Sequence, residues 1–199
     1  HRGHESIIRK SVKGSGKTLV SIFVNPKQFN NKRDLNTYPR NNRNDIKILK
    51  KLKVHYLYKP SYDDIYKFKT EKKIYLDKFS KELCGQYRKG HFKGVIDVVN
   101  RFLEIIRPKT IILGNKDFQQ LYLIKKHIKK NKIKTKVFPC KTIRDKHFIA
   151  YSSRLNKLNY VEKIKLIKVI KFLKRYKKKL LSKKLKFNFN VIKKRIISM

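Results

Sequence analysis

GHFKGVIDVVNRFLEIIRPKTIILGNKDFQQLYLIKKHIKKNKIKTKVFP, residues 90–139, decides the fold. From Gly90 to Ile106 the apolar residues Val95, Val98, Val99, Phe102 and Ile106 share one helical face, and Pro108 stops the helix. Thr110 to Leu113 is a short run of strand type, and Gly114 turns the chain. Asp117 to Lys129 predicts a second helix with Phe118, Leu121 and Ile124 or Lys125 on its inner stripe, and Lys134 to Pro139 predicts another strand.

The same alternation runs toward the N-terminus. Ser6 to Val12 reads as the end of a short helix. Thr18 to Val24 (TLVSIFV) is apolar on both faces, as a buried parallel strand is. Asn41 to Lys53 predicts a helix carrying Ile46, Leu49 and Leu52, Val54 to Tyr58 a strand, and Lys73 to Lys78 a further strand. Strands and helices alternating at these lengths predict an α/β fold, a Rossmann-like, mostly parallel sheet with helices on both faces. Its ligands belong at the carboxyl ends of the strands.

From about Asn159 the pattern changes. Tyr160, Ile164, Ile167, Ile170 or Lys171, and Leu173 form a rough helical stripe in a lysine-studded segment. Residues 1–154 are therefore expected to form one domain and 155–199 a second, abbreviated one.

The 199 residues hold 55 Lys and Arg against 13 Asp and Glu, a formal charge of +42 that attracts polyanions. Lys, Asn, Ile, Tyr and Phe are abundant together while Ala, Gly, Met and Trp are scarce, the pattern of AT-rich codons. The charge is thus read first as composition and second as a nucleic-acid footprint; Tyr56 to Phe68 and Phe172 to Phe189 interleave cations with aromatics in the manner of single-strand binders. Cys84 and Cys140 make neither a disulfide framework nor a zinc motif, so a cytoplasmic protein is expected. No apolar run approaches the roughly 20 residues that span a bilayer.

Only seven glycines occur, and most lie beside His, Arg, Lys or Asp. Ser11 to Thr18 (SVKGSGKT) ends like a phosphate-binding loop, but it leads into a strand where such a loop must open a helix, so a glycine hinge is the better reading. His1 and His4 are three apart, which puts both imidazoles on one face of a first helical turn beside unsatisfied N–H groups, a start for an anion site. Ordinary surface histidines are the plainer alternative. Asn25-Pro26-Lys27-Gln28-Phe29 follows a strand end and offers two amides suited to a small hydroxylated substrate, or simply a turn. Lys116 and Asp117 follow Gly114 at another strand end, with Gln120 one turn on; Ser152-Ser153-Arg154 adds two hydroxyls and a guanidinium fitted to polyphosphate.

In order and spacing, His1-Arg2-Gly3-His4, SIFVNPKQF (21–29), DLNTYPR (34–40), RKGHFKGV (88–95), LGNKDFQQL (113–121) and the run from Arg144 to Arg154 resemble the pantothenate synthetase (pantoate:beta-alanine ligase) family of the HxGH nucleotidyltransferases. The resemblance covers about residues 1–156. It implies ATP-dependent ligation of pantoate and beta-alanine through a pantoyl adenylate, with ATP as substrate and Mg2+ accompanying its phosphates, in a cytoplasmic homodimer. His4, His1 and Lys116 would be catalytic. ATP would be bound by His1, Arg2, Gly3, His4, Gly114, Asn115, Lys116, Asp117, Ile143, Tyr151, Ser152, Ser153 and Arg154. Pantoate and beta-alanine would be gripped by Gln28, Gln120, Asn25, Arg88 and His91, and no protein metal ligand is assigned. The family's first strand has no counterpart before His1 in this sequence, and the C-terminal α+β region is shortened. Cys84, Lys89, His147-Phe148 and Leu155 depart from the family's Glu, Pro, Asp-Gly and Asn. An inactive remnant of such an enzyme and a basic nucleic-acid-binding protein are the alternative readings.

Overall fold

The computed structural model describes residues 1–14, 16–182 and 186–199. The chain divides into two compact units, His4–Thr142 and a smaller one of Ile143–Met199 with His1–Gly3. In chain order the elements begin with α1 (Arg2–Lys13), β1 (Leu19–Ser21), α2 (Lys32–Asn36), α3 (Asn42–Lys51), β2 (Tyr56–Tyr58), α4 (Tyr62–Tyr66) and α5 (Cys84–Tyr87). They continue through α6 (His91–Ile106), β3 (Thr110–Gly114), α7 (Phe118–Lys130), β4 (Lys136–Cys140), α8 (Tyr160–Leu181) and α9 (Phe189–Ile197).

The fold is α/β, and among the described residues both strand pairs are parallel. β1 pairs with β2 from Leu19 opposite Tyr56 to Ser21 opposite Tyr58, and β3 with β4 from Thr110 opposite Lys136 to Gly114 opposite Cys140. Among the described residues these are two separate ribbons, not one continuous sheet. A helix links the strands of each, as a parallel connection requires. Phe92, Ile96 and Leu103 of α6 and Leu123, Ile124 and Ile128 of α7 form the core against β3 and β4. On the β1–β2 ribbon, Phe23 and Tyr58 meet Phe102 of α6 edge to face.

Three expectations are corrected. Residues 73–78 form no strand; side chains take backbone N–H groups in and just before the segment. The Glu104 carboxylate accepts the Glu71 and Lys72 N–H groups, and the Tyr75 N–H donates to His127 Nδ1 at 3.2 Å. Phe118 does not join the inner stripe of α7; it is 60% exposed, and the buried set is Gln119, Leu121, Leu123, Ile124, His127 and Ile128. β1 is not buried on both faces, since Leu19 and Ser21 are exposed and only Val20 between them is half-buried.

The smaller unit contains α8 and α9 and an isolated antiparallel bridge between Arg144 and Ala150. Among its described residues no strand occurs beyond residue 155; the three- to four-residue apolar spacing of Ile164, Ile167 and Ile170 is a helical period. The α8 start is a capping box in which Asn159 and Glu162 satisfy each other's backbone N–H. Residues 183–185, within the expected 155–199 domain and the Phe172 to Phe189 run, lie outside the described residues.

His127 is fully buried, and its Nε2–H donates to Asn100 Oδ1 at 2.9 Å. Nδ1 accepts from Tyr75, so the ring is the neutral tautomer, and burial pushes its pKa below 6.5 despite the nearby Glu104 charge. An unfolded imidazole takes up its proton near pH 6.5 while the folded one resists it. This stabilising contribution is therefore complete above that pH and is lost as the pH falls below it. Urea denaturation should show stability dropping on this acid limb. In His127→Ala about 2–4 kcal/mol should be lost already at neutral pH, because Asn100 and the Tyr75 N–H lose their partner.

Candidate active site

At the end of the first strand segment the chain turns through Asn25 to Gln28 as a short 3-10 helix started by Pro26. Asn25 is 2% exposed, and its carboxamide is committed to the scaffold. Oδ1 accepts from the Lys27 N–H at 3.2 Å and from the Tyr66 hydroxyl at 2.7 Å, and Nδ2 donates to the Gly94 carbonyl at 3.0 Å. His91 is buried at the start of α6 and its Nδ1–H donates to the Gln28 carbonyl at 2.6 Å. Two side chains thus clamp the turn from opposite ends, and Gln28 is held between them, half-buried.

Helix α6 approaches this turn by its backbone. A Cβ added to Gly94 would lie 2.3 Å from the Lys27 carbonyl oxygen and 2.9 Å from the Gln28 nitrogen, so only glycine fits. Gly90 caps the helix at φ +77°, a left-handed conformation that favours glycine. Arg88 contributes its carbonyl, which accepts the His91 N–H at 3.1 Å.

The second strand end is built differently. β3 finishes at Gly114, a 3-10 turn spans Asn115–Asp117, and α7 starts at Phe118. Asn115, Lys116 and Asp117 are exposed, and Gln120 is half-buried in the first turn of α7. A Cβ on Gly114 would sit 3.2 Å from the Ile7 side chain, so α1 lies over this strand end. That brings His4, in the first turn of α1, within electrostatic range of Lys116. His4 keeps exposed surface, yet desolvation of its ring, and after it nearby positive charge that includes the Lys116 ammonium, hold its pKa below 6.5. At neutral pH it is an uncharged N–H donor within range of a cation. Such a set can bind a phosphate and stabilise charge growing on it.

Within the smaller unit a second group of candidates gathers. The Arg2 guanidinium donates to the Tyr151 hydroxyl at 3.3 Å, and its carbon lies 5.9 Å from the ring centroid. A Cβ on Gly3 would lie 3.0 Å from the His1 imidazole and 3.6 Å from the Tyr151 Cβ, so the missing side chain is what lets His1 fold back. Ser152 caps the following 3-10 turn by accepting the Arg154 N–H at 3.3 Å, with Ser153 the first residue of that turn. Ile143 is exposed, and its carbonyl accepts the Tyr151 N–H at 3.3 Å.

Several supporting residues carry no sequence signal. Tyr66 holds Asn25, while the Lys27 ammonium lies 3.7 Å over the Tyr66 ring and 3.8 Å from Asp97. Arg101 locks Asp97 through an Nε–H donated at 2.8 Å. Burial and the Asp97 charge push the Tyr66 hydroxyl well above its usual pKa, so it remains a proton donor. Partners 41 and 69 residues from Asn25 could not be paired from spacing. The loop-like SVKGSGKT run includes Ser15, outside the described residues. Its Thr18 is buried, exchanging a hydrogen bond with Ser11 at 3.0 Å and donating its N–H to His55 Nδ1.

A family model described as pantoate-beta-alanine ligase matches residues 1–198. Pantothenate synthetase of Flavobacterium psychrophilum is 42% identical over 160 residues, 79% of this chain and 57% of that protein. The Helicobacter pylori enzyme is 38% identical over 157 residues, 77% and 57% of the two chains. The chain thus spans a little over half the length of these curated relatives. The crystal structure of the Francisella tularensis pantoate-beta-alanine ligase, complexed with beta-gamma ATP and beta-alanine, is 35% identical with TM-score 0.85 and covers 100% of this chain and 73% of its own. The Thermus thermophilus pantothenate synthetase is 27% identical with TM-score 0.80, covering 86% and 62%. With the family model spanning residues 1–198 and curated relatives about 40% identical over more than three quarters of its length, this chain belongs to the pantoate-beta-alanine ligase family.

Proposed function

We propose that the protein ligates pantoate and beta-alanine in two steps at the expense of ATP. A pantoate carboxylate oxygen attacks the α-phosphorus and pyrophosphate leaves; the beta-alanine amine then attacks the acyl carbon and AMP leaves. The observation that carries this reading is the position of α1 over the end of β3, where Ile7 meets Gly114 and His4 comes within electrostatic range of Lys116. The chemistry needs aligned substrates and stabilised phosphorus charge, not a protein nucleophile. His4 donates to the phosphate, Lys116 neutralises charge as the phosphorus becomes five-coordinate, and His1 assists. Arg2, Gly3, Gly114, Asn115, Asp117, Ile143 and Tyr151 are assigned to ATP, and Ser152, Ser153 and Arg154 to its phosphates. Gln28 and Gln120 are assigned to pantoate, with Arg88 at the substrate end, and Asn25 and His91 act by holding Gln28.

Among the described residues no three or more His, Cys, Asp or Glu gather into a cage. Mg2+ commonly rests on nucleotide phosphates and water, with one or two carboxylates at most. The residues present fit that mode, with Asp117 the carboxylate beside Lys116; the ion would supply charge neutralisation on the phosphates. A cytoplasmic homodimer belongs to the same proposal. Among the described residues no helix is long and apolar enough to cross a membrane.

The test is pyrophosphate release from ATP, which should require pantoate and accelerate with beta-alanine; release indifferent to pantoate would refute the reading. In Gln28→Leu the pantoate KM should rise at least tenfold with the ATP KM within about twofold, because a hydrogen-bonding contact to substrate is lost.

A further inference from the structure

The smaller unit holds a groove of about 650 Å³ that the proposed ligation does not use. One wall is the turn Lys146, His147 and Phe148; the other is the C-terminal half of α8, with Lys171, Lys174, Arg175, Lys177, Lys178 and Leu181. Six of these nine residues are permanently charged cations and none is acidic. Among the described residues none of the six forms an ion pair. The nearest carboxylate in the turn, Asp145, is occupied by the His147 and Ile149 N–H groups at 2.8 and 2.9 Å.

The turn is held in shape. The Asp145 N–H donates to the Ile149 carbonyl at 2.9 Å, the Phe148 N–H to the Asp145 carbonyl at 3.0 Å, and the Arg144 guanidinium to the Phe148 carbonyl at 2.9 Å. Phe148 itself sits at φ +66°, a conformation unfavourable for phenylalanine that pins its ring at the groove. That ring is 48% exposed and carries the Lys174 ammonium 3.1 Å from its centroid. Lys171, Lys174 and Lys178 recur at helical spacing, so the cations follow the groove for about 10 Å.

We infer that this groove binds the phosphate backbone of single-stranded nucleic acid, with Phe148 offered to a base. A track of unpaired cations beside an exposed ring is the combination that neutralises a strand and stacks on it. A small phosphate ester would use only a few of six cations spread over this length. The inference stands independently of the ligase reading, since no residue assigned to ATP, pantoate or beta-alanine lines the groove.

Anisotropy of a fluorescent single-stranded RNA with the whole chain tests it. Neutralising about four phosphates should give a log–log salt slope near −3, roughly a fiftyfold loss of affinity between about 50 and 200 mM salt. The triple variant Lys171→Glu, Lys174→Glu, Lys178→Glu should lose at least twentyfold and flatten that slope. Lys47→Glu, Lys50→Glu, Lys51→Glu, an equal charge change on exposed α3 positions, should lose less than threefold. Equal losses in both would overturn the proposal in favour of bulk charge, and absence of binding at 50 mM salt would overturn it outright. Vesicles containing phosphatidylserine, bound as tightly and with the same loss in the groove variant, would replace it with a membrane site. Ultraviolet crosslinking of a thiouridine RNA to the unaltered chain checks the place without relying on variant folding: adducts are expected within residues 146–148 or 171–181, and adducts confined elsewhere would overturn it.

Discussion

Replacing Lys116 by alanine, or His4 by alanine, should slow adenylate formation a hundredfold or more, measured as single-turnover pyrophosphate release at saturating ATP and pantoate. The barrier is crossed as negative charge gathers on the oxygens of a five-coordinate phosphorus. A fixed ammonium and an aligned N–H donor stabilise that charge more than they stabilise bound ATP. A hundredfold loss corresponds to about 2.7 kcal/mol, within the usual range for one such donor. Both residues keep exposed surface, so stability should stay within about 0.5 kcal/mol, and slow turnover cannot be assigned to unfolding. Lys116→Arg should recover only part of the rate, because a guanidinium distributes its charge over a planar fork. Rates like the unaltered chain in both alanine variants would remove the pair from the mechanism.

Gly94→Ala should disrupt the Asn25–Gln28 turn with a single methyl group. Its Cβ meets backbone atoms, the Lys27 carbonyl oxygen at 2.3 Å and carbon at 2.6 Å, so no rotamer change relieves it. Helix α6 must move off the Asn25–Gln28 turn, loosening the Asn25 bond to the Gly94 carbonyl and the His91 bond to the Gln28 carbonyl together. Overpacking of this kind costs about 3 kcal/mol. A denaturant midpoint lowered at constant slope is its signature. Displacing Gln28 by about 1 Å should also lower kcat/KM for pantoate about a hundredfold. Normal stability and normal pantoate kinetics would show that the approach at Gly94 is not constrained as described.

Local pattern made much of this legible. The α6 helix, Pro108, the Gly114 turn and the β3–α7–β4 order follow from period and punctuation, and the same punctuation puts the motifs at strand ends. The α6 stripe is only partly right: Val95 and Val98 are buried, but Phe102 and Ile106 are half-buried and the helix's core residues are Phe92, Ile96 and Leu103, because α6 is packed on more than one face. Most of the errors come from the dependence of an element on distant partners. Residues 73–78 have strand composition, but Glu104 and His127, from other elements, take the backbone hydrogens in and just before that segment. Phe118 fits the α7 period yet faces out, because the helix begins there at a strand-end turn. Asn25 and His91 look like substrate ligands in sequence; contacts 69 and 63 residues away show them holding the turn that carries Gln28. His127, unremarked in sequence, closes the core between α6, α7 and the 71–77 segment.

Transfer of isotope from pantoate labelled with oxygen-18 in its carboxylate tests the central claim most directly. Attack of that carboxylate on the α-phosphorus, followed by attack of the amine on the acyl carbon, leaves one pantoate oxygen on the phosphate of AMP. The prediction is AMP carrying a single oxygen-18 in step with pantothenate and pyrophosphate. Unlabelled AMP accompanying pantothenate, ADP in place of AMP, or no turnover of pantoate would contradict it.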